Sequence, residues 1–90
     1  MKLSVIIVSY NCKVYLDYCI QSVISALKNF HGEVIVIDNN STDNTKDFIR
    51  SKGYNIKFIE SKINLGFSKA NNQAVKSAKG EYLFFLNPDT

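Results

Sequence analysis

The sequence predicts an α/β fold on a parallel sheet, and three features carry that prediction. Apolar runs of four to seven residues alternate with stretches whose apolar residues recur at helical spacing, in the order β-α-β-α-β-α-β. The runs are apolar on both faces, as strands are when helices cover both sides. The connections are short, and strands joined through helices pair in parallel.

Leu3 to Ser9 is strand one, rich in β-branched side chains. Tyr10-Asn11 ends it, with Asn11 placed to cap the first helix. Val14, Leu16, Cys19, Ile20, Val23, Ile24 and Leu27 form the apolar face of that helix. Lys13, Asp17, Gln21 and Lys28 form its other face, and Tyr15 and Tyr18 flank it as partly buried residues. The helix ends near Asn29, where His31-Gly32 breaks the pattern. Strand two is Glu33 to Ile37. A polar loop from Asp38 to Asp43 follows, with Ser41 and Asp43 as candidate caps of a shorter helix. That helix turns Phe48 and Ile49 inward and stops at Gly53, and Ile56 to Ile59 is strand three. In the turn Asn64-Leu65-Gly66, the glycine can take a backbone conformation closed to other residues. The third helix carries Ala70, Ala74, Val75 and Ala78 and runs to Gly80. Tyr82 to Leu86 reads as a buried fourth strand, ended by Asn87-Pro88 because proline cannot donate to a ladder.

Right-handed crossovers limit the topology, and 3-2-1-4 is the preferred strand order. It puts the first two helices on one face of the sheet and the third on the other. The winding reverses between strands one and four, and open α/β sheets bind ligands at such a point. The loops Ser9-Tyr10-Asn11, Asp38-Asn39-Asn40 and Asn87-Pro88-Asp89 converge there. A carboxylate such as Asp89 beside a diphosphate suits Mg²⁺, which takes one or two protein carboxylates plus phosphate oxygens and water.

Ninety residues allow one small domain or part of a larger one. An apolar share of 46% argues against disorder. The net charge of +3 is mild and the eleven Lys and Arg are spread along the chain, so no nucleic-acid partner is expected. No apolar run approaches the ~20 residues of a membrane span. Leu3 to Val8 is too short and too β-branched for a signal peptide. A cytoplasmic location is the default expectation. On one helix Cys12 and Cys19 would lie ~10 Å apart along the axis, too far for a disulfide. With only His31 to join them, a zinc site is not expected.

Four motifs stand in order on these elements: Ser4-Val5-Ile6-Ile7-Val8-Ser9-Tyr10-Asn11, Ile35-Val36-Ile37-Asp38-Asn39-Asn40-Ser41-Thr42-Asp43, Asn64-Leu65-Gly66-Phe67 and Leu86-Asn87-Pro88-Asp89-Thr90. Together they resemble the N-terminal half of the family 2 inverting glycosyltransferases, which have the three-layer, Rossmann-like GT-A fold. The resemblance covers essentially the whole chain. The Asn-Pro-Asp-Thr ending is similar to that of bacterial rhamnosyltransferase-type enzymes of surface polysaccharide synthesis.

The resemblance implies a hexosyltransferase-type enzyme. It would move a sugar from a UDP-, TDP- or GDP-linked donor to a hydroxyl, with inversion. Tyr10 would pack near the base, Ser9 would help to place it, and Asn11 and Asn40 would belong to the same site. Asp38 would accept a hydrogen bond from the base, and Asn64 and Gly66 would shape the loop beside it. Asn87 and Asp89 match the family's Asp-x-Asp motif, with Asp89 the direct ligand of Mg²⁺ or Mn²⁺. Asn87 replaces the first acid and brings no charge, so weaker metal binding without substrate is expected. Asn71 stands where many relatives carry Arg near the diphosphate, and Lys69 is the candidate to supply that charge. Asn72 either bonds the neighbouring loop or faces solvent.

In the family the catalytic base and the acceptor site lie in a C-terminal half. These ninety residues are therefore expected to be a single donor-binding subdomain, truncated after strand four and inactive alone. A saccharide or lipid-linked acceptor would engage the missing half, and a lipid-linked one would hold the protein at the inner face of the cell membrane. Strand four, left as an aromatic edge, predicts self-association. A nicotinamide-binding or P-loop reading needs glycines after strand one, and Ser9-Tyr10-Asn11-Cys12-Lys13 has none. A sugar-nucleotide pyrophosphorylase would carry a Gly- and Arg-rich loop there. A non-catalytic nucleotide-binding or interaction module of the same fold is the alternative, and a reading frame that continues past Thr90 would argue against it.

Overall fold

Seven elements follow one another through residues 2–88, the part of the chain that the computed structural model describes. They are β1 (Leu3–Ser9), α1 (Lys13–Ala26), β2 (Gly32–Asn39), α2 (Thr45–Ser51), β3 (Lys57–Ser61), α3 (Gly66–Val75) and β4 (Tyr82–Leu86). The sheet runs β3-β2-β1-β4 with every pair parallel, as the sequence predicts. Successive side chains of a strand point to opposite faces, and this divides the core in two. Val5, Ile7, Val34 and Val36 meet Leu16, Ile20 and Val23 of α1 and Ile49 of α2. Ile6, Val8, Ile35 and Ile37 meet Ala70 and Ala74 of α3 on the other face. No helix among the described residues is long and apolar enough to cross a membrane.

β4 forms where expected but is not buried. Tyr82, Leu83, Phe84 and Phe85 are 41–62% exposed. The strand is a sheet edge, and α3 packs chiefly over β1 and β2, as α1 does.

α1 also departs from its predicted pattern. Val14, Tyr15 and Tyr18 are exposed, whereas Asp17 is buried. Asp17 accepts hydrogen bonds from the Tyr54 hydroxyl at 2.5 Å and from Gln21 Nε2 at 3.1 Å, and Lys52 Nζ lies 3.8 Å away. A carboxylate can be buried when it is paired in this way. The bond to Asp17 pushes the Tyr54 hydroxyl above the usual tyrosine range. Cys12 and Cys19 are free thiols.

Both long helices stop before the predicted breakers. α1 ends at Ala26, because the chain must turn in time for Lys2 N–H to reach the His31 carbonyl at 2.8 Å and for Gly32 to pair with Leu3. α3 ends at Val75, and the segment after it is held by a latch at the N-terminal end of the sheet. There Ser4 Oγ donates to Glu33 Oε2 at 2.6 Å, Lys79 N–H donates to the same oxygen at 2.6 Å, and Gly80 N–H donates to Ser4 Oγ at 2.8 Å. Gly80 lies so close to β1 that a Cβ would stand 2.6 Å from the Ser4 nitrogen.

Two predictions follow from the latch. Gly80→Ala forces backbone against backbone and should cost about 2 kcal/mol, in the range of overpacked cores; urea denaturation measures it, and an unchanged midpoint would contradict the close approach. Burial opposes ionisation of Glu33, but the bonds from Ser4 and Lys79 outweigh it and hold the carboxyl below the usual glutamate range. Its contribution to stability is therefore complete above the ordinary glutamate pKa of ~4.3 and is lost as pH falls through the lower native value. Glu33→Gln should flatten the acid side of the stability–pH curve, and an acid limb as steep as that of the wild type would refute this.

Candidate functional site

The C-terminal ends of the strands carry the polar loops, and two of these loops brace each other. Asn11 has left-handed backbone at φ 49, and Cys12 rather than Asn11 takes the cap position of α1. The Asn11 side chain instead accepts from Thr42 N–H at 2.7 Å and Thr42 Oγ1 at 3.3 Å, while Asn11 N–H donates to Ser41 Oγ at 2.9 Å. Asp43 accepts from Lys13 N–H at 3.2 Å and from the Thr45 hydroxyl. Burial works against its charge, yet these bonds hold its carboxyl below the usual aspartate range. Asn44, also left-handed, occupies the cap position of α2 in place of the expected Ser41 or Asp43.

Side-chain alternation separates Asp38 from Asn39. Asp38 shares parity with Val34 and Val36 and so falls on the α1 side. It is 3% exposed and accepts from Ser41 N–H at 3.1 Å and Ser41 Oγ at 2.5 Å, one bond to each carboxylate oxygen. Asn39 shares parity with Ile35 and Ile37 and falls on the α3 side. It donates to Asn64 Oδ1 at 2.8 Å and accepts from Leu65 N–H at 2.6 Å, and Asn64 Oδ1 also receives Gly66 N–H at 2.9 Å. Gly66 opens α3 at φ 77. The buried Asn39 thus fixes the entry to α3.

A cavity of about 310 Å³ opens at this point, lined by Val8, Tyr10, Cys12, Asn39, Asn64, Gly66, Phe67 and Asn87. It lies where the winding of the sheet reverses, as predicted. A larger cavity, about 680 Å³, lies at the opposite end beside Leu27, Glu33 and Tyr54, away from the polar loops.

Four of the predicted residues meet on this wall: Tyr10, Asn64, Gly66 and Asn87. Ser9 is buried, with its hydroxyl 3.5 Å from Cys12 Sγ. Asn11 and Asp38 are occupied in bracing the loops, and Asn40 is exposed at φ 65. Lys69 and Asn72 are exposed on α3 and do not line the cavity. Asn72 stands half a turn from the buried Ala70 and Ala74, which turns it away from the sheet. Asp89 lies outside the described residues. Asn39 and Phe67 line the wall although no role was expected of them; counting parity along β2 would have found Asn39. Among the described residues, no lining residue carries a charge and no three His, Cys, Asp or Glu come together as a metal cluster.

The sequence model of glycosyl transferase family 2 matches residues 4–90. The chain is 40% identical over 88 residues to the UDP-Glc:alpha-D-GlcNAc-diphosphoundecaprenol beta-1,3-glucosyltransferase WfaP of Escherichia coli, covering 96% of this chain and 34% of that protein. The crystal structure of S. aureus TarS 1–349 in complex with UDP superposes with a TM-score of 0.85 at 32% identity, over 99% of this chain and 28% of that one. Glucosyl-3-phosphoglycerate synthase from Mycobacterium tuberculosis, in complex with Mn²⁺, UDP and glucosyl-3-phosphoglycerate, shares the fold with a TM-score of 0.77 at 23% identity, over 97% of this chain and 33% of that one. The chain spans about a third or less of each of these proteins. With the GT-A strand order, the crevice at its reversal point and the family match over residues 4–90, this chain belongs to glycosyl transferase family 2.

Proposed function

We propose that this chain is the donor-binding part of a glycosyltransferase, and that its crevice holds the nucleoside diphosphate of a sugar donor. The cavity bounded by Tyr10, Asn39, Asn64, Gly66 and Asn87 carries the proposal. Tyr10, 48% exposed, offers a ring face for the base. The amides of Asn39 and Asn64 hold the wall rigid, so the site is formed before the donor arrives. The first turn of α3 opens beside the cavity, and the positive end of a helix favours phosphate. Uridine is the favoured base, supported by the UDP bound in the TarS relative. Asp38, with its carboxylate on Ser41, supports the loop behind the base rather than reading it.

With no charged side chain among the described lining residues, the wall fits a divalent cation brought in with the diphosphate better than one held by the protein alone. Asp89 would hold it, with Asn87 beside it. When bound, a cation of this kind offsets negative charge on the leaving diphosphate. The chain's own residues bind and orient the donor; the proton-accepting base and the acceptor site belong to the rest of a longer enzyme. A cell-surface saccharide or lipid-linked hydroxyl is the acceptor class, supported by the diphosphoundecaprenol substrate in the name of WfaP. Peripheral attachment at the cytoplasmic side of the membrane is the location that goes with such an acceptor.

Calorimetric titration with UDP, TDP and GDP, each with and without Mn²⁺, tests this reading. UDP should bind, Mn²⁺ should strengthen it, and Asp89→Ala should abolish the metal dependence. Tyr10→Ala should weaken UDP about tenfold, the equivalent of ~1.4 kcal/mol of lost stacking. A folded chain that binds none of the three diphosphates in Mn²⁺ would sink the proposal.

A further inference from the structure

The crevice has a second aromatic ring. Phe67 stands in the first turn of α3, 54% exposed, on the cavity that Tyr10 also lines. Gly66, Ala70 and Ala74 follow at four-residue spacing, so they share the face of α3 that looks at the sheet. The two alanines pack on Ile6, Val8, Ile35 and Ile37. At Gly66 that packing stops: a Cβ there would meet open space, with nothing among the described residues within 4 Å. The first turn of α3 therefore overhangs a slot. Its floor is the end of the sheet, where Val8 and Asn39 face α3, with Asn87 beside them. Phe67 belongs to the overhang and Tyr10 to the β1–α1 connection, so the two rings come from different walls of one cavity.

We infer that the nucleobase of the donor lies in this slot between the rings of Tyr10 and Phe67, an inference that rests on the donor-binding reading of the crevice. A nucleobase has two π faces for stacking and hydrogen-bonding edges. The cavity offers a match for both, with rings on two walls and the amides of Asn39, Asn64 and Asn87 beside them. A base stacked on both sides needs two contacts of ~3.5–4 Å, or ~7–8 Å between the rings, and a cavity of about 310 Å³ spans ~8 Å if taken as a sphere. Packing against the rest of a longer enzyme would call for an apolar wall, whereas three amides share this one. The turn that carries Phe67 is fixed beforehand: Leu65 N–H donates to Asn39 Oδ1 at 2.6 Å and Gly66 N–H to Asn64 Oδ1 at 2.9 Å. The ring is thus in place before the base arrives, and little ordering is left to oppose binding.

Fluorescence of the 90-residue chain tests this. The chain has no tryptophan, so Phe67→Trp puts a single indole in the slot. In Mg²⁺, UDP should quench that indole and inorganic pyrophosphate should not. Phe30→Trp, at a residue 68% exposed in the α1–β2 connection at the other end of the sheet, should respond to neither. By calorimetry Phe67→Leu, which keeps apolar bulk and loses the ring, should weaken UDP about tenfold, within the range of base–aromatic stacking. Phe67→Tyr should bind as the wild type does. Should the indole prove too large for UDP to enter, the leucine and tyrosine variants decide alone. A wild type that binds UDP while Phe67→Leu binds it equally well would overturn the inference and leave the donor-binding reading standing. So would a Phe67→Trp chain that binds UDP unquenched, or that pyrophosphate quenches as strongly. A folded wild type that binds no nucleoside diphosphate overturns both.

Discussion

From Ser4 to Ser9 every residue of β1 is buried, and the arrangement of the molecule follows from keeping it so. Its side chains are apolar on both faces, so it needs a helix layer above, another below and a strand on each side. β2 and two right-handed crossovers through α1 and α2 supply one flank and one face. Covering the other face requires the third crossover to pass on the opposite side, and a right-handed passage there delivers β4 to the free flank of β1. The reversal of winding that satisfies a hydrophobic strand also opens the crevice. Shape and site thus have a common cause.

The two ends of the sheet are held by different means. At the N-terminal end one carboxylate, Glu33, gathers a hydroxyl and a backbone amide into a tight joint. At the C-terminal end, amides and hydroxyls bond from loop to loop, and the three non-glycine residues with positive φ among the described residues, all asparagines, lie in these loops. Asparagine tolerates left-handed backbone at modest cost because its short side chain can bond locally. In Asn11 that side chain is the brace between two loops. The end that carries the crevice is thus shaped by polar contacts, and the apolar layers below it supply the stability.

Most of the fold was legible because it depends on periodicity. The seven elements, their order and the strand order follow from apolar spacing and the handedness of crossovers. What escaped depends on contacts between residues far apart in sequence. α1 and α3 stop early because His31, Lys79 and Gly80 are drawn into bonds with residues from β1 and β2. Asp17 looked like a solvent-facing residue, and only the arrival of Tyr54, 37 positions later, makes it a buried one. β4 has the composition of an interior strand, and it was the strand order rather than the composition that made it legible as an aromatic edge. In the site, the loops were legible and the division of labour within them was not. The family resemblance implies a bond from the base to Asp38; in the free chain that carboxylate accepts from Ser41, and strand parity puts Asn39 on the crevice wall.

The pairing of Leu3 with Tyr82 has a consequence for how the protein is made. A ribosome delivers β1 before β4, so β1 is an edge of the sheet until β4 emerges. β1, β2 and β3 with α1 and α2 can assemble as soon as they emerge. Until β4 and α3 arrive, Ile6 and Val8 then lie on an open face and the far side of β1 lacks a partner. Long-range parallel pairing is slow to form, and an open apolar strand is prone to aggregate. The burden on a nascent chain of this kind therefore falls on β1, and lifting it depends on β4.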